Sequence, residues 1–198
     1  EYDFQNFLIM PPAYYKGNTE VGVFKFYDMI IKDIPKVKII LYNFENLSGF
    51  KFEVNFVKKL VTSFPKNIIG CKDSTYNLYK TLKLKDFLMF PGDESKLLKG
   101  LEVGCSGCIS AIANVTHKLA RKVFDDYEKN EIQTSNEKLI DVRHTFDKYN
   151  LISGLHSYMS LQNSKFKNLL PPLTLLNSND QKELLKKLES LKFNLNKN

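Results

Sequence analysis

Five short apolar runs alternate with helical patterns from Phe7 to Tyr127, and this alternation constrains the fold more than any other feature. The runs are Phe7-Leu8-Ile9-Met10, Lys38-Ile39-Ile40-Leu41-Tyr42, Ile68-Ile69-Gly70-Cys71-Lys72, Phe87-Leu88-Met89-Phe90 and Gly107 to Ala111. Between them lie apolar positions at helical spacing. Val23, Tyr27, Ile30, Ile31 and Ile34 form one face, and Val54, Val57, Leu60 and Val61 form another. A short helix is predicted over Asn77 to Lys83, another over Ser95 to Leu101, and Leu119, Val123 and Tyr127 mark a longer one. Strands that are apolar on both faces must be covered on both faces, and helices of this kind cover them. The expectation is an α/β fold with a parallel sheet of five strand-helix units.

Such a sheet is either open and doubly wound or part of a closed barrel. No glycine-rich phosphate motif follows any strand, which weakens the nucleotide-binding option. In a barrel, polar residues at the C-terminal strand ends converge on one site. Here those residues are Tyr14, Tyr15, Tyr42, Lys72, Asp73, Asp93, Glu94 and Ser110.

Beyond Tyr127 the alternation stops, dividing the chain into residues 1–128 and a helical extension, 129–198. Glu131 to Met159 reads as two helical pieces broken near Asn150 to Gly154. Leu170-Pro171-Pro172-Leu173 reads as an extended linker. Ser178, Asn179 or Asp180 is expected to cap a last helix with Leu184, Leu185, Leu188 and Leu191 on its buried face.

Charge narrows the function classes. The 198 residues carry a formal charge of +7, yet only two of the 29 basic residues, Arg121 and Arg143, are arginines. Nucleic-acid sites favour arginine for its bidentate contacts, and scattered lysines describe a solvated surface instead. No nucleic-acid partner is expected. No run approaches the roughly 18 uncharged residues of a membrane span, so no membrane partner is expected either. The opening Glu1-Tyr2-Asp3-Phe4 shows no signal-peptide pattern. Three cysteines cannot make a complete disulfide framework, which suits a reducing cytoplasm.

Lys72 is the sharpest candidate for chemistry, because it ends an otherwise apolar strand. An amine attacks a carbonyl only as its free base, and apolar surroundings favour that uncharged form. The competing reading is a buried stem with an ammonium reaching water. Tyr42 ends the preceding strand, where a phenol can relay protons to a nearby carbonyl or amine. It can equally be a half-buried aromatic with a satisfied hydroxyl. Adjacent strands would bring both tips to one end of the sheet. Cys105-x-x-Cys108 has metal or redox spacing but no second ligand pair, so small buried thiols are expected. His117, His144 and His156 stand in separate helical stretches, and no metal site is predicted. Asp93-Glu94 could bind substrate hydroxyls or cap the helix that follows.

The order of motifs resembles the dihydrodipicolinate synthase / N-acetylneuraminate lyase family. The resemblance rests on Met10-Pro11-Pro12-Ala13-Tyr14-Tyr15-Lys16, Leu41-Tyr42-Asn43, Gly70-Cys71-Lys72-Asp73, Gly92-Asp93, Gly107-Cys108-Ile109-Ser110 and Pro171-Pro172-Leu173. It implies a TIM barrel with a C-terminal helical extension and class I, pyruvate-dependent aldolase chemistry. By that resemblance Lys72 forms a Schiff base with a 2-keto acid, and Tyr42 relays protons to it. Ile109 presents a backbone carbonyl to the site, and Ser74 lies beside the substrate. Tyr15 reaches toward a neighbouring subunit's site. No cofactor is implied beyond the covalent lysine imine. The implied partners are a 2-keto acid, an aldehyde and further copies of the chain, as a dimer or tetramer.

Two departures from the family pattern carry expectations of their own. The run at Phe7 matches the family's fourth strand, so the chain reads as a fragment whose isolated form is unstable and inactive. The loop Tyr42 to Gly49 places Leu47 where synthases carry an arginine for the second substrate's carboxylate, a contact leucine cannot make. Like Asp93-Glu94, this loop resembles the N-acetylneuraminate lyases more closely, where the acidic pair binds the sugar's hydroxyl tail. Asp73-Ser74 after Lys72 is closer to the 2-keto-3-deoxy sugar-acid aldolases, and Ala111 replaces a serine of the sialic acid lyases. A lysine-pathway synthase and a non-catalytic homologue are the alternatives.

Overall fold

A computed structural model describes residues 4–194 of the chain. Its elements run β1 (Asn6–Ile9), α1 (Glu20–Asp33), β2 (Lys38–Asn43), α2 (Glu45–Ser48), α3 (Val54–Ser63), β3 (Ile68–Asp73), β4 (Leu88–Pro91), α4 (Leu97–Glu102), α5 (Ala113–Glu128), α6 (Asn136–Phe146), α7 (Leu151–Met159) and α8 (Ser178–Ser190). Two compact units result. The first runs to Gly92 and includes Lys99–Cys108; the second comprises Asp93–Leu98 and the chain from Ile109 onward. This division places α5 with the second unit, whereas the sequence boundary at 128 grouped it with the strands.

In the first unit the four strands pair in chain order, all parallel. Side chains alternate across the sheet. Ile39, Leu41 and Cys71 are buried on the face that packs against Val23, Tyr27, Phe56, Val57 and Leu60 of α1 and α3. Thr19 caps α1, its hydroxyl accepting from Gly22 N at 3.2 Å. The fully buried Tyr27 satisfies its hydroxyl by donating to the Ile9 carbonyl at 3.0 Å. A Cβ at Gly70 would stand 2.5 Å from the Leu88 carbonyl oxygen, so β3 and β4 approach closely only because this residue is glycine. Phe7 and Leu8 of β1 and Leu88 of β4 remain partly exposed at the two edges of the sheet.

Two expectations in this part of the chain need correction. Gly107 to Ala111 forms no strand; the residue before it, Ser106, donates its backbone N–H to the Met89 carbonyl at 2.8 Å. Gly107 adopts φ +142°, which turns the backbone away from a ladder conformation. Asn77 to Lys83 forms bends and a short turn: the Leu78 and Tyr79 N–H groups bond the Asp73 carboxylate, and Thr81 N and Leu82 N close a turn on the Leu78 carbonyl.

In the second unit Leu139, Val142 and Phe146 of α6 are buried, as are Leu184 and Leu188 of α8. The rings of Phe146 and Tyr158 meet edge to face at 5.9 Å. The break between α6 and α7 spans residues 147–150, and Gly154 lies inside α7. Asn177 caps α8, one residue before the expected candidates, accepting from Asn179 N and Asp180 N at 3.0 Å. Leu170 to Leu173 closes a turn, with Leu173 N donating to the Leu170 carbonyl at 3.1 Å, where an extended linker was expected.

Candidate active site

Lys72 and Tyr42 are cross-strand partners at the C-terminal ends of β3 and β2. Both are half-buried on the sheet face opposite Cys71 and Leu41. The Lys72 Nζ lies 4.0 Å from the centroid of the Tyr42 ring. Among the described residues it makes no hydrogen bond and no ion pair, so no carboxylate competes for it. The Tyr42 ring in turn stacks on Phe44 at 5.9 Å.

One residue further along each strand, a polar pair faces the covered side. Asn43 and Asp73 are also register partners, and both are fully buried. Asn43 Nδ2 donates to Asp73 Oδ1 and to Asn77 Oδ1, each at 2.8 Å, and its Oδ1 accepts from Phe52 N at 3.1 Å. Asp73 also accepts from the backbone N–H groups of Tyr76, Leu78 and Tyr79 at 2.8 to 2.9 Å. Buried carboxylates need such saturation. The loops beyond both strands are thereby tied together, with Ser74 N on the Asn43 carbonyl and Glu45 N on the Thr75 hydroxyl.

Leu47 sits on the short α2 with an exposed side chain, and its carbonyl accepts from Lys16 Nζ at 3.0 Å. Ser74 is half-buried directly after β3. Tyr14 and Tyr15 are exposed and pack edge to face against each other at 5.5 Å. These residues all belong to the unit that holds Lys72.

Asp93, Glu94, Ile109 and Ser110 belong to the second unit. Asp93 caps the turn that follows, accepting from Ser95 N at 2.7 Å. Burial opposes its ionisation, but the Arg143 guanidinium and the Ser95 hydrogen bonds outweigh that, holding its carboxyl below the usual range. Glu94 is fully buried. Its Oε2 accepts from Ser110 Oγ at 2.6 Å and from Arg143 Nη1 at 3.3 Å. Arg143 Nη1 also donates to Ser110 Oγ at 3.1 Å, and its Nε donates to Asp147 at 2.8 Å. Burial works against the Arg143 charge, yet Asp147, Asp93 and Glu94 more than compensate. Ile109 is half-buried.

Burial pushes the Cys71 and Cys105 thiols up, so neither is a ready thiolate. His156 meets the Phe166 carbonyl through Nδ1 at 2.8 Å, a local tie in the helical unit. Among the described residues no three His, Cys, Asp or Glu side chains converge as a metal-binding group. No described helix is long and apolar enough to cross a membrane.

A family model, the dihydrodipicolinate synthetase family, matches residues 1–191. The chain belongs to that family. A 4-hydroxy-tetrahydrodipicolinate synthase of Bartonella bacilliformis is 32% identical over 135 residues, covering 66% of this chain and 45% of that protein. A mitochondrial protein of Coccidioides immitis, named as a 4-hydroxy-2-oxoglutarate aldolase, is 29% identical over 138 residues, covering 66% of this chain and 43% of its own length. The chain thus spans less than half the length of these relatives. Among solved structures, YagE, an Escherichia coli K12 prophage protein of the dihydrodipicolinic acid synthase family in complex with pyruvate, superposes with a TM-score of 0.85. That match is 20% identical and covers 96% of this chain and 67% of YagE. The four-stranded sheet and its helices are accordingly a portion of a dihydrodipicolinate synthetase TIM barrel followed by C-terminal helices.

Within this family member, the sequence singled out Lys72 and Tyr42, which the register sets side by side, but not Asn43, Asn77 and Arg143 as parts of polar networks. Asn43 and Asp73 had a usable signal, since each directly follows a candidate residue at a strand end. Arg143 had none, because 49 residues separate it from Glu94.

Proposed function

We propose that this protein is a Schiff-base lyase that makes or breaks a carbon–carbon bond between pyruvate and an aldehyde. The observation that supports this reading is the Lys72–Tyr42 pair, an amine without an acidic partner lying against a phenol ring at the strand ends. The Lys72 amine adds to the keto carbon of the substrate, and water leaves to give a protonated imine. In cleavage, the electron pair of the bond between C3 and C4 moves into that imine, an aldehyde departs and an enamine remains. Protonation at C3 and hydrolysis release pyruvate and the free amine. Tyr42 supplies and receives protons during these steps.

A sugar-acid lyase, of the 2-keto-3-deoxy acid or sialic acid type, is the preferred substrate assignment, since Leu47 offers no guanidinium to a second carboxylate. A 4-hydroxy-tetrahydrodipicolinate synthase is the second reading, favoured by the name of the Bartonella relative. Cytoplasmic placement and assembly into dimers or tetramers, with Tyr15 at an interface, belong to the same proposal. So does the absence of any cofactor other than the lysine imine.

Borohydride reduction of the full-length protein in the presence of pyruvate, read by peptide mass, tests the chemistry. A reduced pyruvyl adduct on the peptide containing Lys72, lost in Lys72→Ala, is expected. A folded protein that traps no pyruvate would sink the lyase reading and favour a non-catalytic homologue.

A further inference from the structure

We infer that Asn43 is a positioning residue for the reacting pair, an assignment that rests on the proposed Schiff-base chemistry. Three observations carry it. First, Asn43 and Asp73 each follow a reacting residue directly, and the pairs Tyr42–Lys72 and Asn43–Asp73 are consecutive rungs of one parallel ladder. Second, the Asn43 Nδ2 to Asp73 Oδ1 bond at 2.8 Å is a side-chain clamp across the last rung of that pair of strands. Backbone bonds of a parallel ladder are slanted, and strand ends fray, so a buried cross-strand bond fixes what the ladder leaves loose. Third, the clamp has no freedom to drift. Asp73 is held by three backbone N–H groups, and Asn43 Oδ1 is held by Phe52 N. Neither side chain is exposed to solvent, so water cannot replace the bond without opening the core.

The consequence concerns geometry. Tyr42 and Lys72 face the opposite side of the sheet from the clamp, so Asn43 touches no substrate. It acts by setting the separation and twist of the two strand ends, and thereby the distance over which a proton passes between phenol and imine. Displacements of about 1 Å in such pairs cost on the order of 100-fold in rate.

Deuterium exchange at the pyruvate methyl group, followed by proton NMR in deuterated water, reads this transfer without an aldehyde. The imine loses a C3 proton to become an enamine and regains a deuteron from solvent. Asn43→Ala should lower kcat for exchange by about 100-fold with KM nearly unchanged, while borohydride still traps pyruvate on Lys72. Asn77→Ala serves as the control. It removes the other acceptor of Asn43 and the tie to the Phe52 carbonyl at 3.0 Å, but leaves the cross-strand bond in place. It should lower stability and keep the parent kcat. Should Asn43→Ala not fold, Asn43→Ser, a shorter polar side chain, should show the same fall in kcat. Parent-like exchange in a folded Asn43 variant, or equal falls in both Asn43→Ala and Asn77→Ala, overturns the positioning role. Failure of the parent itself to trap pyruvate overturns the Schiff-base reading instead.

Discussion

The Lys72 Nζ rests on the face of the Tyr42 ring, 4.0 Å from its centroid, one strand away. That contact uses the ring, whereas the proposed proton relay uses the hydroxyl, so the two roles separate by mutation. Tyr42→Phe should leave borohydride trapping on Lys72 in place. Exchange of the pyruvate methyl protons should fall by about 100-fold to 10,000-fold, the usual contribution of a positioned acid or base. Trapping that disappears in Tyr42→Phe would show that the hydroxyl is needed to form the imine as well.

Arg143 is the cation on which the buried Glu94 depends. Replacing it with Met keeps much of the volume and strands a carboxylate inside the unit. The expected loss is about 3–5 kcal/mol, the cost of breaking a buried pair from one side. Glu94→Gln with Arg143→Met should recover much of it, measured by urea unfolding.

Asp93 gives the second unit an acid dependence with a defined sign. Its carboxyl is held below its ordinary range, so the folded form binds the proton less readily than the unfolded chain. This contribution is complete at neutral pH, above the unfolded value of about 4. It is lost as pH falls through the lower, folded value. Asp93→Asn should therefore flatten the stability profile below about pH 4, compared by thermal melts at neutral and acid pH. An unchanged acid slope would assign the dependence to other carboxylates.

Gly70→Ala should be costly despite its small size. The new methyl would meet the Leu88 carbonyl oxygen at 2.5 Å and the Leu88 Cβ at 3.0 Å. Backbone cannot rotate away as a side chain can, so β3 and β4 must separate. A destabilisation of about 1–3 kcal/mol is expected, again by urea unfolding. A neutral result would mean that β4 shifts freely.

The strands and helices of the first unit were legible because their signals are local. Ile39 and Leu41 alternate with Ile40 and Tyr42, and Val23, Tyr27 and Ile31 recur at helical spacing. Lys72 stood out because a charge at the end of an apolar strand is conspicuous. What escaped depends on partners distant in sequence. Asn43 and Asp73 looked like ordinary strand-end polar residues until the register set them opposite each other, 30 residues apart. The apolar stretch after Gly107 has strand-like composition but lacks a ladder, which composition cannot reveal. Asn77 to Lys83 has helical spacing, yet Asp73 captures the Leu78 and Tyr79 N–H groups first.

The alternation of β2 and β3 assigns opposite tasks to neighbouring residues. One face carries Tyr42 and Lys72, and the other anchors the loops that begin at Phe44 and Ser74. Under the proposed chemistry, reactivity and selectivity are thereby held by different sides of the same two strands. On that proposal, a lineage built on this plan can trade one acceptor molecule for another by altering loop residues such as Leu47, while the proposed bond-making pair is inherited untouched.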